Sequence, residues 1–122
     1  MNNLLGDDIV IGSYSDGKVA PSLFHYSNKK LEPVLSEINP SYVLRHDEYY
    51  YVTAEHQDGT ISTLDKNFKV LSKVKTMGDD PCHLSIDNTG SFLVATNYSS
   101  ASAIIYRLTN HIPSSVHSLI TH

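Results

Sequence analysis

The chain repeats itself at an interval of about 41 residues, and this period constrains the fold more than any other feature. Residues 40–44 match residues 81–85 at a separation of 41, and residues 51–55 match residues 93–97 at a separation of 42. Residues 10–14 fit the same register one repeat earlier. Four short strands in a unit of ~40–50 residues are typical of a β-propeller blade. A helical repeat is disfavoured, because no segment carries apolar residues at helical spacing over three turns.

The repeat predicts an all-β fold of about three four-stranded propeller blades, with units at residues 8–40, 41–81 and 82–122. Short β-rich runs predict strands at 9–15, 23–26, 42–44, 49–54, 60–64, 69–74, 83–86 and 91–96. Asp87-Asn88-Thr89-Gly90 predicts a four-residue turn in which Gly90 supplies a positive φ. Equivalent strand positions in successive repeats predict a core formed by Ile11, Val52, Leu64, Leu84, Val94 and Ile105.

A chain of 122 residues is too short to form a closed ring of blades. Blades bury their faces only against neighbouring blades, and closed rings usually contain ~4–8 of them. The chain holds about three units of 41 residues. We therefore expect either a fragment of a longer chain or a protomer that completes its ring by self-association through open blade faces, most economically as a dimer.

Composition narrows the classes of partner. The chain has 9 Lys and Arg against 13 Asp and Glu, with a formal net charge of −4, which offers no electrostatic footprint for nucleic acid or an anionic membrane. Its apolar runs fall far below the ~20 residues of a membrane helix, and its start lacks a signal-peptide pattern. Cys82 is the single cysteine, and no histidine spacing suits a metal. A soluble cytoplasmic protein without a metal or cofactor is the simplest interpretation.

Several motifs occur in an order typical of one known family. They are Gly12-Ser13-Tyr14-Ser15, Asn39-Pro40-Ser41-Tyr42, Val52-Thr53-Ala54-Glu55 and the long block of residues 81–98, PCHLSIDNTGSFLVATNY. Together they resemble the lactonase family of seven-bladed β-propellers, the 6-phosphogluconolactonase type related to the muconate-lactonizing cyclases. The resemblance runs from about residue 9 to residue 108, and the long block is its specific part.

The resemblance implies a function, and it also implies that family members carry a region that this chain does not contain. It implies hydrolysis of a sugar-acid lactone, most simply 6-phosphogluconolactone to 6-phosphogluconate in the pentose phosphate pathway, with a small-molecule lactone as the substrate. Family members are much longer, and they carry a further block rich in Arg, Gln, Glu, Pro and His downstream of the matched region. We therefore expect the activity to need further blades, and this chain alone to be inactive.

Strand direction predicts where the polar candidates meet. In each blade the first strand starts at the rim to which the second strand returns, so residues at those ends converge on one mouth. His83 is the candidate general base, and Glu55 is a candidate base or hydroxyl acceptor. The candidate substrate-binding residues are Asn97, Tyr42, Tyr14 and Tyr98. Each has a structural alternative: the histidine or glutamate can hold a blade junction, the asparagine can cap its own turn, and the tyrosines can pack.

Two other functions remain open at this point. The chain could be a non-catalytic propeller module that binds a ligand or protein through the same mouth, since one scaffold serves many functions. It could also be a truncated unit that serves only in assembly. Lactone hydrolysis above the spontaneous rate separates the enzyme from both alternatives. A serine hydrolase is disfavoured, because the chain contains no Gly-x-Ser-x-Gly elbow.

Overall fold

A computed structural model describes residues 9–121, and within this range it contains eleven strands and no helix. The first sheet consists of β1 (Ile9–Ile11), β2 (Ala20–Ser27) and β3 (Lys30–Glu37). The second consists of β4 (Val43–His46), β5 (Tyr49–Ala54), β6 (Thr60–Leu64) and β7 (Val70–Lys75). The third consists of β8 (Pro81–Ile86), β9 (Phe92–Asn97), β10 (Ser102–Thr109) and β11 (Ile112–Thr121). The prediction of an all-β propeller-type fold is confirmed.

Each sheet is an antiparallel meander whose strands pair in chain order. Successive strands reverse direction, so the connections fall alternately at two ends. Residues 12–19, 38–42, 55–59, 76–80 and 98–101 form one end, which we call the upper rim. The turns at 28–29, 47–48, 65–69, 87–91 and 110–111 form the lower rim. The predicted turn at Asp87 is confirmed, because Gly90 has a φ of 72°.

The inner strands β5 and β6 of the second sheet are buried on both faces, because their side chains alternate between the two neighbouring sheets. Tyr50 and Val52 point toward the first sheet and pack with Leu23 and Leu64. Tyr51 points the other way, toward the third sheet. The cluster between the second and third sheets contains Tyr51, Ile61, Leu84, Leu93, Ala95, Ile104, Tyr106 and Leu108.

The core prediction is confirmed for Val52, Leu64 and Leu84 and wrong for three other residues. Ile11 is 42% exposed, and Val94 and Ile105 are only half-buried. On β1 it is Val10 that packs toward the second sheet, so its neighbour Ile11 points away.

Val94 and Ile105 were predicted to lie on the wrong faces of their strands. Val43 pairs with Val52, nine positions along the chain, whereas its counterpart Leu84 pairs with Ala95, eleven positions along. Ala95 therefore takes the inward position, and Val94 points to the open side. Tyr106 pairs with Leu93, so Ile105 also faces outward. A shift of one residue exchanges the two faces of a strand.

Polar ties also join neighbouring sheets. The carboxylate of Glu37 is 6% exposed and lies 2.7 Å from the ammonium of Lys73, which links β3 to β7. The hydroxyl of Tyr106 donates to the carbonyl of Lys75 at 2.6 Å, and burial raises its pKa. Buried carboxylates are tolerated when they are paired in this way. No helix within residues 9–121 is long and apolar enough to cross a membrane.

Candidate functional site

Glu55 is the centre of a hydrogen-bonded cluster on the upper rim. β5 ends at Ala54, so Glu55 is the first residue of the rim loop. Its Oε1 accepts a hydrogen bond from the hydroxyl of Tyr14 at 2.9 Å and another from the hydroxyl of Ser41. Tyr14 comes from the first sheet's loop and lies 41 residues away, which is one repeat. The cluster therefore bridges equivalent positions of two successive sheets.

The backbone of Glu55 is fixed as firmly as its side chain. Its N–H donates to the carbonyl of Asn39 at 3.0 Å, and its own carbonyl accepts from the side-chain amide of Asn39 at 2.9 Å. Asn39 Oδ1 in turn accepts from the N–H of Ser15 at 2.8 Å. The second carboxylate oxygen of Glu55, Oε2, has no hydrogen-bond partner among the residues that the structure describes. It is the oxygen that remains open to a ligand.

Tyr14 is held as a hydrogen-bond donor. Its side chain is 68% exposed, and the pKa of its phenol is raised, first by donating to the Glu55 carboxylate, then by burial and by the negative charge of Glu55. A raised pKa keeps the hydroxyl protonated throughout the neutral range. Tyr14 therefore orients the carboxylate and still presents one face of its ring at the mouth.

His83 and Tyr42 form a second pair beside this cluster. Their ring centroids are 4.8 Å apart with a tilt of 56°. His83 lies near the start of β8 and is exposed, and Tyr42 immediately precedes β4. The N–H of Tyr42 donates to the hydroxyl of Thr53 at 3.2 Å, which fixes the backbone that carries the ring. An exposed imidazole against an aromatic edge is oriented and still reachable by water.

Sequence reasoning missed Ser41 and Cys82 at this site. They occupy equivalent positions of the repeat, and they directly precede Tyr42 and His83, which was the signal available. Burial raises the pKa of the Cys82 thiol, and the charges of Glu55 and Asp80 raise it further. The thiolate is the nucleophilic form of cysteine, and a raised pKa disfavours it.

Asn97 and Tyr98 occupy different environments from the Glu55 cluster. Asn97 is fully buried, and its Nδ2 donates to the carbonyl of Thr76 at 2.9 Å and to the hydroxyl of Ser102 at 3.1 Å. Gly78 packs against its amide so closely that a Cβ there would lie 2.6 Å from Nδ2. Asn97 thus joins the second and third sheets beneath the rim. Tyr98 is 76% exposed on the same rim.

The structure therefore brings Tyr14 into contact with Glu55 and Tyr42 into contact with His83, and it turns Asn97 inward. Among residues 9–121 there is no group of three or more His, Cys, Asp or Glu side chains arranged to hold a metal ion. The site offers hydroxyls, an imidazole and a carboxylate. These groups can bind a polyhydroxylated ligand and accept a proton from water.

Comparison with known proteins places these features in a family. The model of a family described as "Lactonase, 7-bladed beta-propeller" matches residues 8–122. No curated protein matches the sequence.

Several solved structures share the fold. A candidate 6-phosphogluconolactonase from Bacteroides fragilis aligns with a TM-score of 0.75 and 21% identity, over 100% of this chain and 38% of that one. One from Bacteroides uniformis aligns with a TM-score of 0.77 and 22% identity, over 94% and 38%. A periplasmic gluconolactonase of Pseudomonas aeruginosa aligns with a TM-score of 0.72 and 18% identity, over 94% and 38%. The chain thus spans about 38% of the length of these similar proteins.

Proposed function

The chain belongs to the lactonase family of seven-bladed β-propellers, and we propose that it forms part of the mouth at which a sugar-acid lactone is hydrolysed. The observation that carries the proposal is the family match across residues 8–122. Two of the similar structures are named as candidate 6-phosphogluconolactonases and a third as a gluconolactonase. These names share one chemistry, the cyclic ester of a sugar acid. We take 6-phosphogluconolactone as the substrate, with 6-phosphogluconate as the product.

The proposed reaction is attack of water on the ring carbonyl. The neutral imidazole of His83 accepts a proton from the attacking water, the carbonyl becomes a tetrahedral oxyanion, and its collapse breaks the ring C–O bond. The imidazolium of His83 returns its proton to the ring oxygen as that oxygen leaves, so the products are a hydroxy acid and the regenerated base. A positioned base contributes about 10²–10⁴-fold to such a step. The exposure of His83 and its contact with Tyr42 support this role.

The remaining candidates bind rather than react in this proposal. Glu55 accepts a substrate hydroxyl through Oε2, because Oε1 already receives two hydrogen bonds. Tyr42 and Tyr98 contribute hydroxyls or ring faces to the sugar. Tyr14 positions the Glu55 carboxylate. Asn97 enters only as a positioning residue, because its buried amide ties the base of the rim together.

The active unit in this proposal is larger than the described blades. The chain spans about 38% of the length of the similar structures, so most of the ring in those proteins has no counterpart here. We therefore propose that catalysis requires further blades, whether on the same polypeptide or from additional copies. A non-catalytic binding module is the second candidate, and this short coverage is the observation that favours it.

A hydrolysis assay tests the proposal. Proton release from glucono-1,5-lactone and from its 6-phosphate is followed with a pH indicator against the spontaneous rate. His83→Gln should lower any protein-dependent rate at least about tenfold. The control is His117→Gln, which alters an exposed histidine on the outermost strand.

The outcomes separate the two candidate functions. Because catalysis is proposed to require further blades, the decisive comparison uses an assembly that contains them. Saturable binding of lactone by such an assembly, with hydrolysis no faster than the spontaneous rate, would assign this chain to the binding module. An effect of His117→Gln equal to that of His83→Gln would remove His83 from the role of base. A faster reaction with the 6-phosphate than with the unphosphorylated lactone would support our choice of substrate.

A further inference from the structure

The upper rim has an uneven charge that the proposed function does not use. Its loops carry five carboxylates, which belong to Asp16, Glu55, Asp58, Asp79 and Asp80. The same loops carry one lysine, Lys18, and no arginine. A sugar phosphate carries about −1.5 to −2 charges near neutral pH. The rim is therefore of the same sign as the phosphate group of a phosphorylated lactone.

Most of these carboxylates are held by neutral donors rather than by cations. Asp79 Oδ1 accepts from the N–H of Asp58 at 2.7 Å, and Asp80 Oδ2 accepts from the hydroxyl of Ser99. Glu55 accepts from two hydroxyls, as described above. Considering residues 9–121, Asp58 is the only one of the five that forms an ion pair, with the ammonium of Lys75 at 2.5 Å. Neutral donors fix a carboxylate in place without cancelling its charge.

The groups that usually bind phosphate lie away from the upper rim. Proteins recognise phosphate with the planar fork of arginine or with the N-terminus of a helix. The chain's two arginines lie toward the lower rim, where Arg45 covers the ring of Tyr50 and Arg107 covers the ring of Phe92. Residues 9–121 contain no helix. By contrast, carboxylates with an open oxygen are good acceptors for sugar hydroxyls.

We infer that this sector of the mouth binds the uncharged, hydroxyl-bearing side of a sugar lactone and repels a phosphate group. A phosphorylated substrate would then lie with its phosphate over a sector of the mouth that this chain does not form. The inference rests on the proposed function for the location of the site, and it adds the orientation and charge selectivity of the ligand. It predicts that the isolated sector prefers the neutral ligand of a matched pair.

The matched pair is D-glucono-1,5-lactam and its 6-phosphate, because an amide ring resists the hydrolysis that would consume a lactone. Each is titrated into the ¹⁵N-labelled chain, and the amide signals of Tyr14, Glu55 and His83 are followed by NMR. We expect the neutral lactam to bind about fivefold more tightly at low salt. High salt should narrow this ratio, since exposed charges are screened beyond a Debye length of roughly 8–10 Å.

A charge-matched pair of variants identifies which carboxylates are responsible. Asp80→Asn removes one upper-rim charge and should reduce the preference about twofold. Asp47→Asn removes the same charge from the lower rim and should leave the preference unchanged. Should Asp80→Asn perturb the whole amide spectrum, Asp79→Asn replaces it, since that residue lies on the same loop.

Two results would overturn the inference. In the first, the lactam 6-phosphate binds as tightly as the neutral lactam or more tightly. In the second, neither compound shifts the amide signals of the upper rim. Both are distinguishable from failure of the proposed function, which is judged by hydrolysis and not by this preference. Hydrolysis of a lactone with equal affinity for the two lactams would leave the enzyme proposal standing and remove the orientation.

Discussion

Adjacent residues of β9 should respond very differently to truncation, because they lie on opposite faces of one sheet. Leu93 is fully buried against the second sheet, whereas Val94 points to the open side and is half-buried. Leu93→Ala removes three carbons, worth roughly 2.4 kcal/mol at ~0.8 kcal/mol per carbon, and it leaves a cavity. We expect a loss of about 3 kcal/mol in the free energy of unfolding.

Val94→Ala should destabilise the chain by much less. It removes two carbons, worth roughly 1.6 kcal/mol when fully buried, and incomplete burial reduces this to about 0.8 kcal/mol. Sequence periodicity alone places Val94 in the core and predicts a loss of about 1–3 kcal/mol. Valine has the higher β-propensity of the two residues replaced, so the loss of propensity is larger for Val94→Ala and works against the expected difference. The expected difference of about 2 kcal/mol therefore reports the face of the strand.

Urea denaturation at a single protein concentration measures both variants against the parent chain. The free energy of unfolding is extrapolated linearly to water, and equal slopes show that the unfolded states are comparable. Light scattering establishes the mass of each protein at that concentration. The comparison is made after dilution to a concentration at which the mass is 13.5 kDa, and equal losses for the two variants there would refute the assignment of faces.

Three further predictions concern the rims and the open faces. Gly59→Ala places a Cβ 2.2 Å from Cδ of Pro81, so we expect a loss of about 1–3 kcal/mol, and an unchanged urea midpoint would contradict this contact. The hydroxyl of Thr89 and then the N–H of Phe92 lower the pKa of Asp87 to about 2, so its stabilising effect is complete above the ordinary pKa of ~3.9 and disappears as the pH falls through 2. An NMR midpoint of the Asp87 carboxyl near 4, or an Asp87→Asn variant with the same acid dependence, would contradict this. The apolar open side of the third sheet should drive association, so sedimentation at micromolar concentration should give a mass above 13.5 kDa, whereas a stable monomer would refute it.

Several strands were predictable because their signals are local, whereas the predicted runs did not include β3, β10 or β11. The runs 49–54 and 60–64 correspond residue for residue to β5 and β6, since β-branched and aromatic residues there end at polar or glycine-containing turns. The faces were harder to predict. Ala95 occupies the inward position expected for Val94, because the chain between the paired residues of β8 and β9 is two residues longer than between those of β4 and β5. An alignment of the repeats allows either residue to face inward.

The meeting of the candidate residues at one rim was predictable, whereas their individual contacts were not. Strand direction placed Tyr14 and Glu55 at one rim, and their separation of one repeat makes them neighbours in successive sheets. The inward turn of Asn97 accompanies the close approach of Gly78, a contact between the end of β9 and a loop that no local pattern encodes. The same applies to Ser41, whose hydroxyl reaches Glu55 only because the two loops meet.

The interface between the first and second sheets is smaller than that between the second and third sheets, and this difference determines which part of the chain unfolds first. Four buried apolar residues join the first sheet to the second, whereas eight join the second to the third within residues 9–121. In arrays whose units contact only their neighbours, local stability follows the size of each junction. The second and third sheets should form one cooperative unfolding unit, from which the first sheet detaches at lower free energy. Backbone amides of β2 should therefore exchange with deuterium before those of β5 and β9, and loss of the first sheet would carry Tyr14 away from Glu55 while the pair formed by Tyr42 and His83 stays in place.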